Sequence, residues 1–521
     1  MSASCKREPV VIKYKKVQYC IFRILAIIGV ISLHYIVIMP TERKQSKVKL
    51  FVENFLIYGL GGISSKIIPL VMVPIITRIM PNSSYFGISD MSHTIISFGS
   101  ALAILGMYDA MYRMFFEKDE LTYKKQICST TLMFTLVTSI VTVSCMVLFR
   151  KQIARVFFKD EALAYIVDLS AVATLVGATN TIVSAPTRMQ NQRMIYLIAN
   201  TVGPLLSYGL SIPLLLKGYY TIALPLAGVI SGATKEAAFY ALNRKWFRAG
   251  LFDKKLLKQL LMIAIPLFPN FLVYWVFNSS DRLMITTLLN IGAEGIYSVG
   301  SKLGHASQLI YIAFAGGWQY FAFSTMKESD QVESNSKIFE YLGVVSFIST
   351  SFICALSYGL YKLLFIGEYI DGFIIAPYLF LAPLLQMLFQ VASNQFLVIK
   401  KTWPNIFILS SGAALNVVLN FILIPAIGIE GAAIATLTGY IVSDILAVIV
   451  LSRMNLMVIS MRFVCAVIGI VGFLVAWRLW IPKDMLAGIA FALVYTAACV
   501  LLYKKELIAV CNRIIPKRSG N

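Results

Sequence analysis

Apolar positions in this chain come in long unbroken runs, neither alternating as in a half-buried strand nor confined to one helical stripe. Runs of about twenty such residues recur from 52 to 503, each long enough to cross the hydrocarbon of a bilayer as a helix. Fourteen helices are predicted, over 52–77, 85–107, 127–149, 163–184, 194–216, 221–242, 257–278, 295–323, 338–365, 373–399, 405–424, 430–451, 463–480 and 485–503. Polar residues gather between them. The pattern specifies an all-α polytopic membrane protein.

The most informative run is NVVLNFILIPAIGIEGAAIATLTG, 416–439. Asn416 and Asn420 are four apart and share a helix face. Pro425 and Gly428 are expected to end that helix in a tight hairpin. The next helix opens on a stripe of small residues, Gly431, Ala435 and Gly439, which lets two membrane helices approach closely. Two markers recur along the chain. YFGI at Gly87 returns as EGIY at Gly295, and Pro213 has a counterpart in Pro425, at offsets of 208 and 212. A repeat of two six-helix bundles is expected, as in secondary transporters. The domains are then an atypical extension over 1–50 with one apolar segment, bundles over 51–245 and 246–454, and two added helices with a basic tail over 455–521.

With 58% hydrophobic and 14% charged residues among 521, the composition lies far from the soluble average of about a quarter charged. A net charge of +21 in such a chain speaks of topology, not of nucleic acid. With the segment before 52 placed inside, the inner connections carry more than twice the Lys and Arg of the outer ones, so both ends are expected in the cytoplasm. The eight cysteines are scattered and form no C-x-x-C pair, so no metal site is expected. There is no G-x-x-x-x-G-K-[ST] loop, and no cofactor is expected.

Asn-x-x-x-Asn, a Pro-terminated apolar run and Gly-x-x-Gly-Ala-Ala-x-Ala-Thr resemble the hallmark of bacterial polysaccharide flippases. These are the O-antigen and capsule repeat-unit translocases, related to the lipid II flippase and to MATE-type multidrug exporters. SSDRLMITTLLNIGAEGIYSVGSKLG (279–304) and LGMYDAMYRMFFE (105–117) resemble that family as well. The resemblance implies a transporter, not an enzyme, in the bacterial inner membrane. Its substrate would be an undecaprenyl-diphosphate-linked oligosaccharide, with membrane lipids around it and a polysaccharide polymerase as a candidate partner. The rivals are an ion-coupled exporter of MATE type and a membrane sugar O-acyltransferase, the latter resting on Arg23 and His34 in the apolar stretch 20–39.

Charges within spans cost at least about 2.5–3.5 kcal/mol each against lipid, so they must pair or line a wet cavity. The basic ones are Lys66, Lys235 and Lys302; the acids Asp90, Asp168, Glu236 and Asp444 are candidates for ion coupling. Lys302, His305 and Gln308 form a polar stripe, extended by Gln319, and Gln390 and Asn394 form a second. Asn416 and Asn420 add a third. Amides bond sugars and ammonium groups attract diphosphate, so these residues are substrate-binding candidates. Arg78 and Arg282 lie at the outer ends of the first and seventh spans, with Asp281 placed to hold the Arg282 guanidinium. Arg113 is a candidate cytoplasmic contact.

Overall fold

The protein was analysed as a computed structural model, which describes residues 67–326, 328–399, 401, 403–506 and 508. The apolar stretch 20–39, Arg23, His34 and Lys66 lie outside the described residues. Those described are helical, with no strand among them, and belong to one compact unit.

The chain opens with α1, Ile67–Ile79. There follow α2 (Ser83–Ile104), α3 (Met107–Phe115), α4 (Leu121–Leu148), α5 (Arg150–Phe157), α6 (Ala164–Met189), α7 (Arg193–Leu216) and α8 (Ala223–Asn243). Next come α9 (Lys254–Leu288), α10 (Ile291–Gly304), α11 (Gln308–Ser324), α12 (Gln331–Leu364) and α13 (Ala376–Val398). The last four are α14 (Trp403–Ile427), α15 (Ile429–Arg453), α16 (Met461–Trp480) and α17 (Met485–Leu502). Among the described residues, ten helices are long and apolar enough to cross a membrane, and α2 with α3, bent by 48°, makes an eleventh. The other expected spans fall short for local reasons. The first is described only from Ile67, and α8 is interrupted by Lys235 and Glu236. The eighth is broken by a tight turn over His305–Ser307.

The helix starts follow from side-chain chemistry. Asn82 caps α2 by accepting from Ser84 N at 3.1 Å, and Asn290 caps α10 by accepting from Ala293 N at 2.8 Å. Between α2 and α3 the backbone passes through two left-handed residues, Leu105 (φ 48) and Gly106 (φ 75). Gly106 is required there twice over, because a Cβ would also lie 2.7 Å from Ala264 O of α9.

Helix α9 serves two cores. Its first turns bury Leu256, Leu260 and Ala264 with Met107, Met111 and Ile127, whereas its last turns bury Phe277 and Ile285 in the large cluster built on α12 to α17. Pro266 and Pro269 lie between these stretches. The C-terminal pair α16–α17 docks on α12 through Glu340, which accepts from Ser460 N at 2.6 Å and from Tyr503 OH at 3.2 Å.

The 416–439 stretch forms the expected close pair with one correction. Pro425 does not end its helix: α14 runs on to Ile427, and Gly428 (φ 66) makes the turn. Membrane helices tolerate interior proline more readily than soluble ones. The small stripe lets α14 and α15 touch backbone to backbone. A Cβ on Gly431 would lie 2.4 Å from Leu423 O, and one on Gly412 would lie 2.5 Å from Gly439 O. Gly412→Ala should therefore lower the melting temperature of the purified protein, since overpacking costs about 1–3 kcal/mol. Gly472→Ala, where nothing lies within 4 Å, should leave it unchanged; fluorescence-detected size exclusion after heating checks both.

Candidate functional site

Helices α2 and α10 cross at Gly87 and Gly295, the two glycines of the repeated motif. A Cβ on Gly295 would lie 2.0 Å from Ser83 O, and one on Gly87 would lie 2.2 Å from Ile291 O. Only hydrogen side chains permit this approach. The same end of the molecule is stapled further. Ser83 N donates to Glu368 at 2.6 Å, Tyr369 OH donates to Asn82 O at 3.1 Å, and Arg78 reaches the carbonyls of Leu363 and Leu364 at 3.4 Å.

One turn beyond Gly87, and on the same face, is Asp90. Its carboxylate holds two cations, Arg282 Nε of α9 at 2.8 Å and Lys302 Nζ of α10 at 3.0 Å. The acid is almost wholly enclosed, at 4% exposure, whereas the Arg282 and Lys302 side chains retain 19% and 35%. An ionised carboxylate this deep is tolerable only because it is paired. Both cations thus stay partly accessible, and His93, a turn further along α2, is exposed near them. The site is a paired anion under a partly open cationic surface.

Of the residues singled out in sequence, the structure brings Asp90, Arg282 and Lys302 together here. It assigns Asp281 differently from expectation: that carboxylate bonds Tyr297 OH and the Arg282 backbone N–H (2.9 Å), leaving the guanidinium to Asp90. Asp281 instead neighbours a second cluster. Ser280 Oγ and Asn420 Nδ2 donate to Asn416 Oδ1 at 3.4 Å, and Asn416 Nδ2 donates to Thr436 Oγ1 at 3.1 Å. Both asparagines are fully enclosed between helices. The expected stripe on the eighth span is interrupted: Lys302 ends α10, His305 lies in the turn and Gln308 begins α11, all half-buried. Gln390 is half-buried and Asn394 buried in α13. Arg113 is exposed at the end of α3, and Arg78 is stapled as described.

The remaining acids are apart from this site. Asp168 pairs with Arg150 at 2.8 Å on the surface, and Glu236 bonds Thr179. Asp444 is buried, and neither of its oxygens has a hydrogen-bond partner among the described residues. Lys235 packs its Cδ 3.7 Å from the Cβ position of Gly203 and does not pair with adjacent Glu236. No group of three or more His, Cys, Asp or Glu able to hold a metal occurs among the described residues.

Sequence reading missed Glu294, which is fully enclosed on α10 beside Asp90. A Cβ on Gly87 would lie 3.0 Å from its Oε2. Its signal was present, since it directly precedes the marker Gly295, but it reads as a helix-start acid until the crossing is seen. Tyr297 was missed too, since its bond to Asp281 crosses between helices and leaves no local pattern.

Residues 51–326 match the family described as polysaccharide biosynthesis protein. The chain belongs to that family. Its fold is shared with solved transporters. A structure titled lipid II flippase MurJ, inward closed conformation, superposes with a TM-score of 0.65 at 13% identity, over 88% of this chain and 99% of that one. An outward-facing MATE family multidrug resistance transporter of the MOP superfamily gives 0.57 at 14% identity, over 80% and 99%. An inward-facing one gives 0.55 at 15%, over 77% and 94%. No curated protein is similar enough in sequence to match.

The geometry predicts unequal costs for two ion pairs. Asp90→Asn leaves two cations facing each other at a packed crossing and should lower the melting temperature by several degrees. Asp168→Asn breaks a half-exposed pair worth under about 1 kcal/mol and should change it little. Parallel thermal melts of the purified variants measure the difference.

Proposed function

We propose that the protein is a flippase that moves a polyprenyl-diphosphate-linked oligosaccharide from the cytoplasmic to the periplasmic leaflet, for O-antigen or capsule biosynthesis. The observation that carries this reading is the pairing of two partly accessible cations with one enclosed acid where α2 meets α9 and α10. An arriving diphosphate offers Arg282 and Lys302 more charge and more acceptor oxygens than Asp90 does. Its binding would exchange one partner for another and release α2 from α10. That exchange unlocks the crossing only when substrate is present, which is what alternating access needs.

With both ends read as cytoplasmic, the Gly87–Gly295 crossing lies toward the periplasm and would close that face. The two halves rock about it, over 51–245 and 246–454, with α9 shared between their cores. Amides at Gln308, Gln390 and Asn394, and the cytoplasmic Arg113, are assigned to the sugar and to substrate loading. A polysaccharide polymerase would consume the product. Energy comes from an ion gradient, the membrane potential or product removal; of the four candidate acids, Asp444 is the one with no partner among the described residues. The acyltransferase reading draws nothing from this fold.

A MATE-type exporter is the second reading, favoured by the shared fold and by the presence of a buried acid, Asp90. The two separate in cells that lack their own repeat-unit flippase. The wild-type gene should restore surface polysaccharide. Arg282→Ala with Lys302→Ala should cut it at least tenfold and raise unflipped lipid-linked oligosaccharide, with the protein still folded. Gly295→Leu, unable to close, should do the same. Unchanged polysaccharide together with new resistance to cationic drugs would establish the exporter instead.

A further inference from the structure

We infer that Glu294 is a proton-binding site that locks the α2–α10 crossing shut, so that closure takes up one proton. The placement of that site on the periplasmic side rests on the reading above.

The two cations of the crossing, Arg282 and Lys302, are not shared evenly between Asp90 and Glu294. Asp90 takes both cations, at 2.8 and 3.0 Å. Glu294 is fully enclosed, and neither of its oxygens meets a hydrogen-bond donor among the described residues. Instead its Oε2 lies against α2, 3.0 Å from where a Cβ on Gly87 would sit and one turn from the Asp90 carboxylate. Two carboxylates cannot both be ionised at contact distance, because like charges in an enclosed site repel strongly. Asp90 is fixed as the ionised member by its two ion pairs. Glu294 must then carry a proton, which turns an acceptor–acceptor clash into an O–H···O⁻ hydrogen bond from Glu294 to Asp90.

The groups facing this contact come from every side. Asp90 and His93 are on α2, Asp281 and Arg282 on α9, and Lys302 on α10 itself. The turn 367–374 brings Glu368, which accepts from Ser83 N, and Tyr369. Opening separates Glu294 from Asp90 and admits water. The proton leaves to the outer solution, and the ionised carboxylate is then free to pair with Arg282 or Lys302, vacated by Asp90. Protonation therefore favours the closed form, and closure weakens as pH rises. Linkage of a single proton permits up to about a tenfold change in the closed-to-open ratio per pH unit.

The test uses the full chain in liposomes, with its cysteines replaced and spin labels on Pro81 and Leu289, which are exposed at the outer starts of α2 and α10. Double electron–electron resonance is recorded from about pH 5 to pH 9, a range that brackets carboxyl groups shifted by burial. The long-distance population of the wild type should rise with pH. Glu294→Gln, and Glu294→Met as a second neutral variant, should stay closed with a flat profile, whereas His93→Gln should keep the wild-type response. A flat wild type, a pH response retained by both Glu294 variants, or its loss in His93→Gln would overturn the inference. No substrate is present, so this outcome is independent of the flippase reading: polysaccharide restored without a pH response defeats the proton site alone, and a pH response without restored polysaccharide defeats the flippase alone.

Discussion

A single enclosed carboxylate, Asp90, holds two cations that belong to helices more than 190 residues away in sequence. Much else at this end of the molecule follows from that requirement. The acid cannot stay ionised in apolar surroundings without Arg282 and Lys302, and it can reach them only if α2 and α10 approach to backbone contact. That approach requires hydrogen at Gly87 and Gly295, because any Cβ would strike a carbonyl oxygen. Electrostatics and packing thus specify the same closed arrangement. Neither is sufficient alone: the glycines permit contact, and the charges make it worth forming.

On the proposed reading the closure is also reversible, and its chemistry explains why. A wholly apolar contact at this crossing would leave nothing for a substrate to compete with. An ion pair whose cations keep an open side can be exchanged for a better anion, and the exchange has a defined structural consequence. The second cluster, around Asp281, Asn416, Asn420 and Thr436, differs in kind. It is buried, and it ties α9 to the α14–α15 pair through Ser280, Asn416 and Thr436.

Much of this was legible before any coordinates. Apolar run length alone specified an all-helical membrane protein, and the Gly431–Ala435–Gly439 stripe announced a close helix pair. The cost of a membrane charge flagged Asp90 and Lys302, and Arg282 stood out at the outer end of the seventh span. Their partnership was not legible, because pairing across 212 positions leaves no local pattern. Asp281 was assigned to its neighbour Arg282, when tertiary packing gave it Tyr297. Pro425 was read by the rules of a soluble helix, and the helix continued past it. Glu294 was overlooked because an acid in a first helical turn is ordinary until another helix seals it in. The turn at His305–Ser307 falls on residues that read as a polar stripe along one continuous helix.

The account stands on the coupling between Asp90 and Arg282, and a double-mutant cycle in thermal stability measures it directly. Asp90→Asn and Arg282→Gln should each lower the melting temperature, and the double variant should melt no lower than the worse single one, a coupling of roughly 1 kcal/mol or more. Losses that simply add would show that the two side chains do not depend on each other, and would contradict the closure described here.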